Sequence, residues 1–327
     1  MSMLLSVHNI SKSYGVHTVL SQVSFTLADG QRVGLVGANG VGKSTLLNII
    51  TGALEPDSGT VTLYPSRTLR YLPQVIHAAG DATLHDRIRQ ATAHLHTLET
   101  RMRVLEQRMG DSAGGAALDA VLAEYGEVAE AFERGGGYTL AHRIDTVFEG
   151  LGVAHIPRDQ RFSTLSGGEK SRVGLALLLL EQPDVLLLDE PANHLDFAAL
   201  AWLEAYLQAY RGGILVVSHD RQFLNETVNA IIEIDEHTHE TRRYSGSYDA
   251  YHAAKQHARR QWEADYAAQQ EEIIALRYEI KVNARRNDNY RSPPDGDKFE
   301  LGKKRDTHAA TVSRRVRSAE ERLQRIM

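Results

Sequence analysis

The sequence has no cysteine. That excludes disulfide scaffolds, cysteine-based zinc sites, iron–sulfur clusters and thiol catalysis, and it fits a reducing compartment. Long apolar runs are also missing. Runs such as Leu175 to Leu180 are far short of the roughly 18–20 residues that cross a bilayer, so no membrane span is expected. The amino-terminal MSMLLSVHNI lacks a basic n-region, a long apolar core and a small-residue cleavage site. It does not read as a secretory signal, and a cytoplasmic protein is expected. Proline and glycine are both absent from Tyr248 to Arg286, which predicts an unbroken helix there.

What is present divides unevenly. The 327 residues exceed the roughly 250–300 at which a single core stops growing, so one large domain plus an appendage, or two domains, is expected. From Tyr251 to Met327 there are 17 Lys+Arg against 12 Asp+Glu, a balance of +5; the preceding residues hold 20 and 30, a balance of −10. The tail is chemically a different object from the body.

The body alternates strand and helix signals. Leu4 to Ile10, Val23 to Leu27 and Arg32 to Val36 read as strands, the last running into a glycine-rich turn and an apolar helix from Lys43 to Ile50. Asp184 to Asp189 and Ile214 to Ser218 are apolar except at their polar ends, as parallel strands covered on both faces should be, and a helix from Phe197 to Tyr210 lies between them. That is a βαβ unit, and the expected body is an α/β domain on a mainly parallel sheet. Within it, Thr83 to Arg134 has helical spacing and predicts an inserted helical hairpin.

Gly37-Ala38-Asn39-Gly40-Val41-Gly42-Lys43-Ser44-Thr45 matches the P-loop pattern between a strand and a helix. Glycines let backbone N–H groups turn toward a phosphate, the helix N-terminus adds its dipole, Lys43 reaches the β- and γ-phosphates, and Ser44 offers a hydroxyl to Mg²⁺. Asp189, at the end of its apolar strand, is the expected Mg²⁺ partner, and Glu190 after it can orient or deprotonate an attacking water. Leu165-Ser166-Gly167-Gly168-Glu169 opens a second helix whose N-terminus suits an anion, and His219 ends another strand where a γ-phosphate would lie. His94/His96 and His237/His239 read as surface pairs, not metal ligands.

Taken together these residues resemble an ATP-binding cassette (ABC) ATPase. In that family the P-loop, a glutamine loop (here Gln74), the LSGGE signature, the Walker B strand with its glutamate, a loop ending in Asp196 and a switch histidine follow in this order. The resemblance implies ATP and Mg²⁺ as ligands, with Ser44, Gln74 and Asp189 on the metal, Gln74, Glu190 and His219 at the reacting phosphate, and Tyr14 stacked on adenine. Glu190-Pro191-Ala192-Asn193-His194-Leu195-Asp196 is similar to the EPTNHLD hallmark of the ABC-F subfamily, departing from it at Ala192. That subfamily acts on the ribosome, either as translation factors or in antibiotic resistance. An ATP-binding subunit of a membrane transporter is the alternative reading.

The tail fits the subfamily's interdomain linker. Tyr251, Trp262, Tyr266, Ile273, Leu276 and Ile280 recur at helical spacing, and Val312, Val316, Ala319, Leu323 and Ile326 alternate steps of four and three, a coiled-coil seam. Pro293-Pro294 lies between, so an antiparallel coiled-coil hairpin is expected with its tip at 287–305. Lys281 to Arg317 carries 11 Lys+Arg against 5 Asp+Glu, with Tyr290 and Phe299 interleaved, which suits phosphate backbones and unpaired bases. The resemblance implies rRNA and P-site tRNA as what the tip meets. It further implies a second cassette, supplied by a longer chain of which this is the first cassette (1–250) plus linker (251–327), or by a homodimer.

Overall fold

The computed structural model describes residues 2–74, 81–111, 115–288, 314 and 316–325. In chain order the body runs β1 (Met3–Tyr14), β2 (His17–Ala28), β3 (Arg32–Val36), α1 (Lys43–Ile50), β4 (Ser58–Leu63), β5 (Leu69–Leu72), α2 (Leu84–Ala91), α3 (Ala93–Asp111), α4 (Ala116–Arg134), α5 (Leu140–Gly150), α6 (Gly167–Glu181), β6 (Val185–Asp189), α7 (Phe197–Gln208), β7 (Gly213–Val217), α8 (Arg221–Thr227), β8 (Ala230–Ile234), β9 (Thr241–Ser245) and α9 (Tyr248–Asp288). The chain divides into two compact units, 1–251 and 252–327.

The main sheet has the order β5-β6-β7-β3-β8-β9, parallel except for the antiparallel edge strand β9. β6, β7 and β8 are buried at every position, which is why the first two read as apolar runs. Strand alternation then sorts their side chains between two cores. Leu186, Leu188, Ile214, Val216 and Ile231 face a core shared with α6 and with Phe148 of α5. Val185, Leu187, Leu215, Val217 and Ile232 face the other, shared with Leu46 and Leu47 of α1.

Two expectations change here. The first two strands do not join the parallel sheet. They pair with each other and with β4 as a separate antiparallel sheet, β2-β1-β4, which closes the α1-side core with Leu4, Ile10, Val23 and Leu27. The inserted segment is also not one hairpin. α2 starts from a capping box, Thr83 with Asp86, and stops at Thr92, whose hydroxyl bonds back to the Ile88 carbonyl at 2.8 Å. Leu84 and Ile88 of α2 belong to the body core, whereas Leu95 and Met102 of α3 pack with Phe132 of α4 in a core of their own. The hairpin proper is α3 and α4, tied by Arg101–Glu124 and by the Tyr125 hydroxyl donating to Glu106 at 3.1 Å.

In the second unit, Trp262 and Tyr266 stack with ring centroids 5.5 Å apart, and Ile273, Leu276 and Ala319 are buried. Arg322 pairs with Glu272 at 3.2 Å, bringing helical residues 316–325 against the preceding helix. Of the expected tip at 287–305, residues 289–305 lie outside the described residues, as do seam positions Val312 and Ile326. No helix among the described residues is long and apolar enough to cross a membrane.

Candidate functional site

The carboxyl ends of β3, β5, β6 and β7 point to one edge of the sheet, where open parallel sheets bind ligands. Each delivers part of one site. β3 leads into the glycine-rich loop, where two positions admit nothing larger than glycine. Gly42 has φ +110° with space for a Cβ only 2.6 Å from Val19 Cγ1, and a Cβ on Gly37 would lie 2.9 Å from the Ile234 carbonyl. The loop therefore folds tightly over α1 with Lys43 at its start. Lys43 is buried and donates to the carbonyls of Gly37 and Ala38 at 2.9 and 3.0 Å. Its desolvation lowers its pKa, opposed by the nearby Glu190 and Asp189 carboxylates.

β6 contributes the acids. Because Val185 and Leu187 face α1, the alternation puts Asp189 on that face too. The Ser44 hydroxyl donates to Asp189 Oδ2 at 3.1 Å. Glu190 follows in a left-handed conformation, φ +54°, with its N–H bonded to the Val217 carbonyl at 2.9 Å. That turn aims its carboxylate at His219 beyond β7: the His219 N–H donates to Glu190 Oε2 at 3.3 Å, and His219 Nε2 lies 3.5 Å from Oε1. Glu190 Oε1 is buried and has no hydrogen-bond donor among the described residues. Burial raises the Glu190 pKa, partly offset by the His219 N–H.

Asn39, Gly40, Gly42, Lys43, Ser44 and Thr45 line one cleft of about 300 Å³, and Gln74, Asp189, Glu190 and His219 complete it. Gly37 reaches it through its carbonyl on Lys43. The other expected residues stand elsewhere. Tyr14, half-exposed at the β1–β2 hairpin with Lys12 over its ring, does not line the cleft. Nor does the 165–169 motif. Leu165 is buried in the body core, and Ser166 caps α6, its hydroxyl oxygen accepting the Glu169 N–H at 3.3 Å while its own N–H donates to Glu169 at 2.8 Å. Gly167 and Gly168 form the first turn of α6. Asp196 accepts the Ala199 N–H at 2.9 Å and caps α7.

One residue of the site escapes the sequence motifs. The Tyr71 hydroxyl donates to Asp189 Oδ2 at 3.3 Å. Burial, with the adjacent Asp189, pushes the Tyr71 phenol up to about 12. The only sequence signal for it is strand alternation, which places Tyr71 on the same face as Leu69.

The ABC transporter family profile matches residues 20–193, more than half of the chain. The chain belongs to the ATP-binding cassette family. It is 38% identical over 330 residues to the tylosin resistance ATP-binding protein TlrC of Streptomyces fradiae, covering 98% of this chain and 59% of that one. It is 32% identical over 255 residues to the energy-dependent translational throttle protein EttA of Haemophilus influenzae, covering 78% and 45%. These relatives support the ABC-F assignment. The cassette chain spans about half the length of the relatives it matches. A solved ATP-binding subunit of an ABC transporter superposes with a TM-score of 0.55 at 21% identity, over 74% of this chain and 90% of that one, so the fold is the P-loop cassette fold. The body is thus an ABC-type ATPase domain.

Proposed function

We propose that this chain is an ABC-F-type ATPase acting on the ribosome in the cytoplasm, in translation or in protection against an antibiotic. The convergence of Lys43, Ser44, Gln74, Asp189, Glu190 and His219 in a single cleft carries the reading. The donor set suits Mg-ATP: backbone N–H groups and an ammonium for phosphate oxygens, and hydroxyl, amide and carboxylate oxygens of Ser44, Gln74 and Asp189 for a hard cation. ATP supplies the phosphoryl group and Mg²⁺ the charge that offsets it when bound. Residues 37–45 cradle the phosphates, and Lys43 exchanges its two carbonyl partners for phosphate oxygens. The undonated Glu190 Oε1 accepts a proton from the attacking water, and His219 holds Glu190 in place.

Tyr14 stacks on the adenine. Leu165 to Glu169 and Asp196 line none of the cleft built on their own P-loop, which supports their acting on the nucleotide of a second cassette, in a longer chain or a homodimer. Residues 251–327 form the linker after the cassette of 1–250, and the basic stretch at its tip meets rRNA and P-site tRNA. The names of the relatives, a tylosin resistance protein and a translational throttle, support the ribosomal reading. Ribosome co-sedimentation tests it. A Glu190→Gln variant should pellet with ribosomes when ATP is present and less so without it; a variant that stays in the supernatant in both conditions contradicts the proposal, and co-purification with a membrane-spanning protein would point to a transporter subunit instead.

A further inference from the structure

Asp189 is buried, and among the described residues the side chains of Ser44 and Tyr71 donate to it at one oxygen, Oδ2, at 3.1 and 3.3 Å. The two donors differ in what they can keep. The Ser44 hydroxyl belongs to the glycine-rich loop and is itself a cation ligand in the proposed function, so its contact with Asp189 depends on where the cation draws its oxygen. The Tyr71 phenol has no such competing task. It sits on β5, paired in register with Leu187 of β6, and its ring packs against the α1-side core with Leu69. That anchorage fixes the hydroxyl at the end of the neighbouring strand, where it meets the carboxylate two residues beyond Leu187.

We propose that Tyr71 is a positioning residue for the cation site. Its hydroxyl holds the Asp189 carboxylate in the orientation that receives Mg²⁺ while the Ser44 oxygen turns its lone pairs to the metal. The inference rests on the Mg-ATP reading of the cleft. Partners of this kind, one bond removed from the metal, tune affinity through the ligand they orient, and their loss costs about 10–100-fold in metal affinity. A phenylalanine at this position keeps the ring and its packing and removes only the hydroxyl.

The test is a titration of a fluorescent ATP analogue with the full chain, carried out at rising Mg²⁺ and again in EDTA. For Tyr71→Phe the Mg²⁺ concentration that gives half-maximal tight binding should rise about tenfold, whereas the affinity in EDTA should equal that of the unaltered protein. A purely packing role would weaken binding equally in both conditions and would overturn the inference, as would a Mg²⁺ midpoint identical to that of the parent. If the unaltered protein binds the nucleotide with no dependence on Mg²⁺, the reading of the cleft fails first and the role of Tyr71 falls with it. Binding of Mn²⁺ read by electron paramagnetic resonance gives a second measure without turnover: the Tyr71→Phe protein should need about tenfold more Mn²⁺ for the same bound fraction in the presence of ATP.

Discussion

Replacing Glu190 by glutamine keeps the shape of the side chain and removes its charge and basicity. In the structure the side chain is 9% exposed, and a glutamine oxygen can still accept the His219 N–H that Oε2 accepts at 3.3 Å, so the local fold should survive. Two effects follow. Burial raises the Glu190 pKa above its ordinary 4.5, so folding favours the protonated form, and stability is lost as pH rises through the raised value. Glutamine has no such loss. Burying a charged polar group with incomplete partners costs about 1–3 kcal/mol or more, and sparing about 1 kcal/mol of that by removing the charge raises the melting midpoint of a domain of this size by roughly 2–4 °C. The variant should therefore melt higher than the parent at pH 8, with the gap closing as pH falls toward 4.5. ATP turnover by paired cassettes should fall by about 10²–10⁴-fold with nucleotide binding retained, the usual contribution of a positioned general base. Thermal melting across pH and phosphate release on the same preparations check both. Unchanged turnover, or a variant less stable than the parent at pH 8, refutes the assignment of Glu190 as a desolvated base.

Gly42→Ala places a Cβ 2.6 Å from Val19 Cγ1 and 3.1 Å from the Val19 carbonyl at a left-handed position. It should cost about 1–3 kcal/mol in a denaturant titration and abolish ATP binding together with it. Ser166→Ala removes the hydroxyl that caps α6 and should cost about 1 kcal/mol. The Ser166 hydroxyl and N–H hold Glu169 below its ordinary 4.5, so that interaction stabilises the protein above pH 4.5 and is lost as pH falls through the depressed value. The acid limb of the melting curve should accordingly be shallower in Ser166→Ala than in the parent; an unaltered limb removes the capping box from the account of α6.

The phosphate loop and the Asp189-Glu190 pair were legible in the sequence because their chemistry is local. A cradle for phosphate needs contiguous backbone, and a buried parallel strand needs an unbroken apolar run, as β6 has. Long-range pairing was not legible. The strand expected over 4–10 extends from Met3 to Tyr14 because Lys12, Ser13 and Tyr14 find partners at Leu20, Thr18 and His17, and irregularities in the register obscure the alternation that would have revealed it. The helical spacing expected over Thr83 to Arg134 concealed a break at Thr92, since a helical period does not say whether its residues face one core or two. Tyr71 was missed for a related reason. Its role depends on register with Leu187, more than a hundred positions away, which no motif encodes.

An experimental structure with Mg²⁺ and a non-hydrolysable ATP analogue would show whether residues from four strand ends form one Mg-ATP site. The phosphates should lie against the N–H groups of residues 37–45, with Lys43 turned from the Gly37 and Ala38 carbonyls toward them. The cation should sit about 2.1 Å from Ser44 Oγ, and Tyr71 should still donate to Asp189. A nucleotide bound away from this loop, or a cation without Ser44 among its ligands, would contradict the claim.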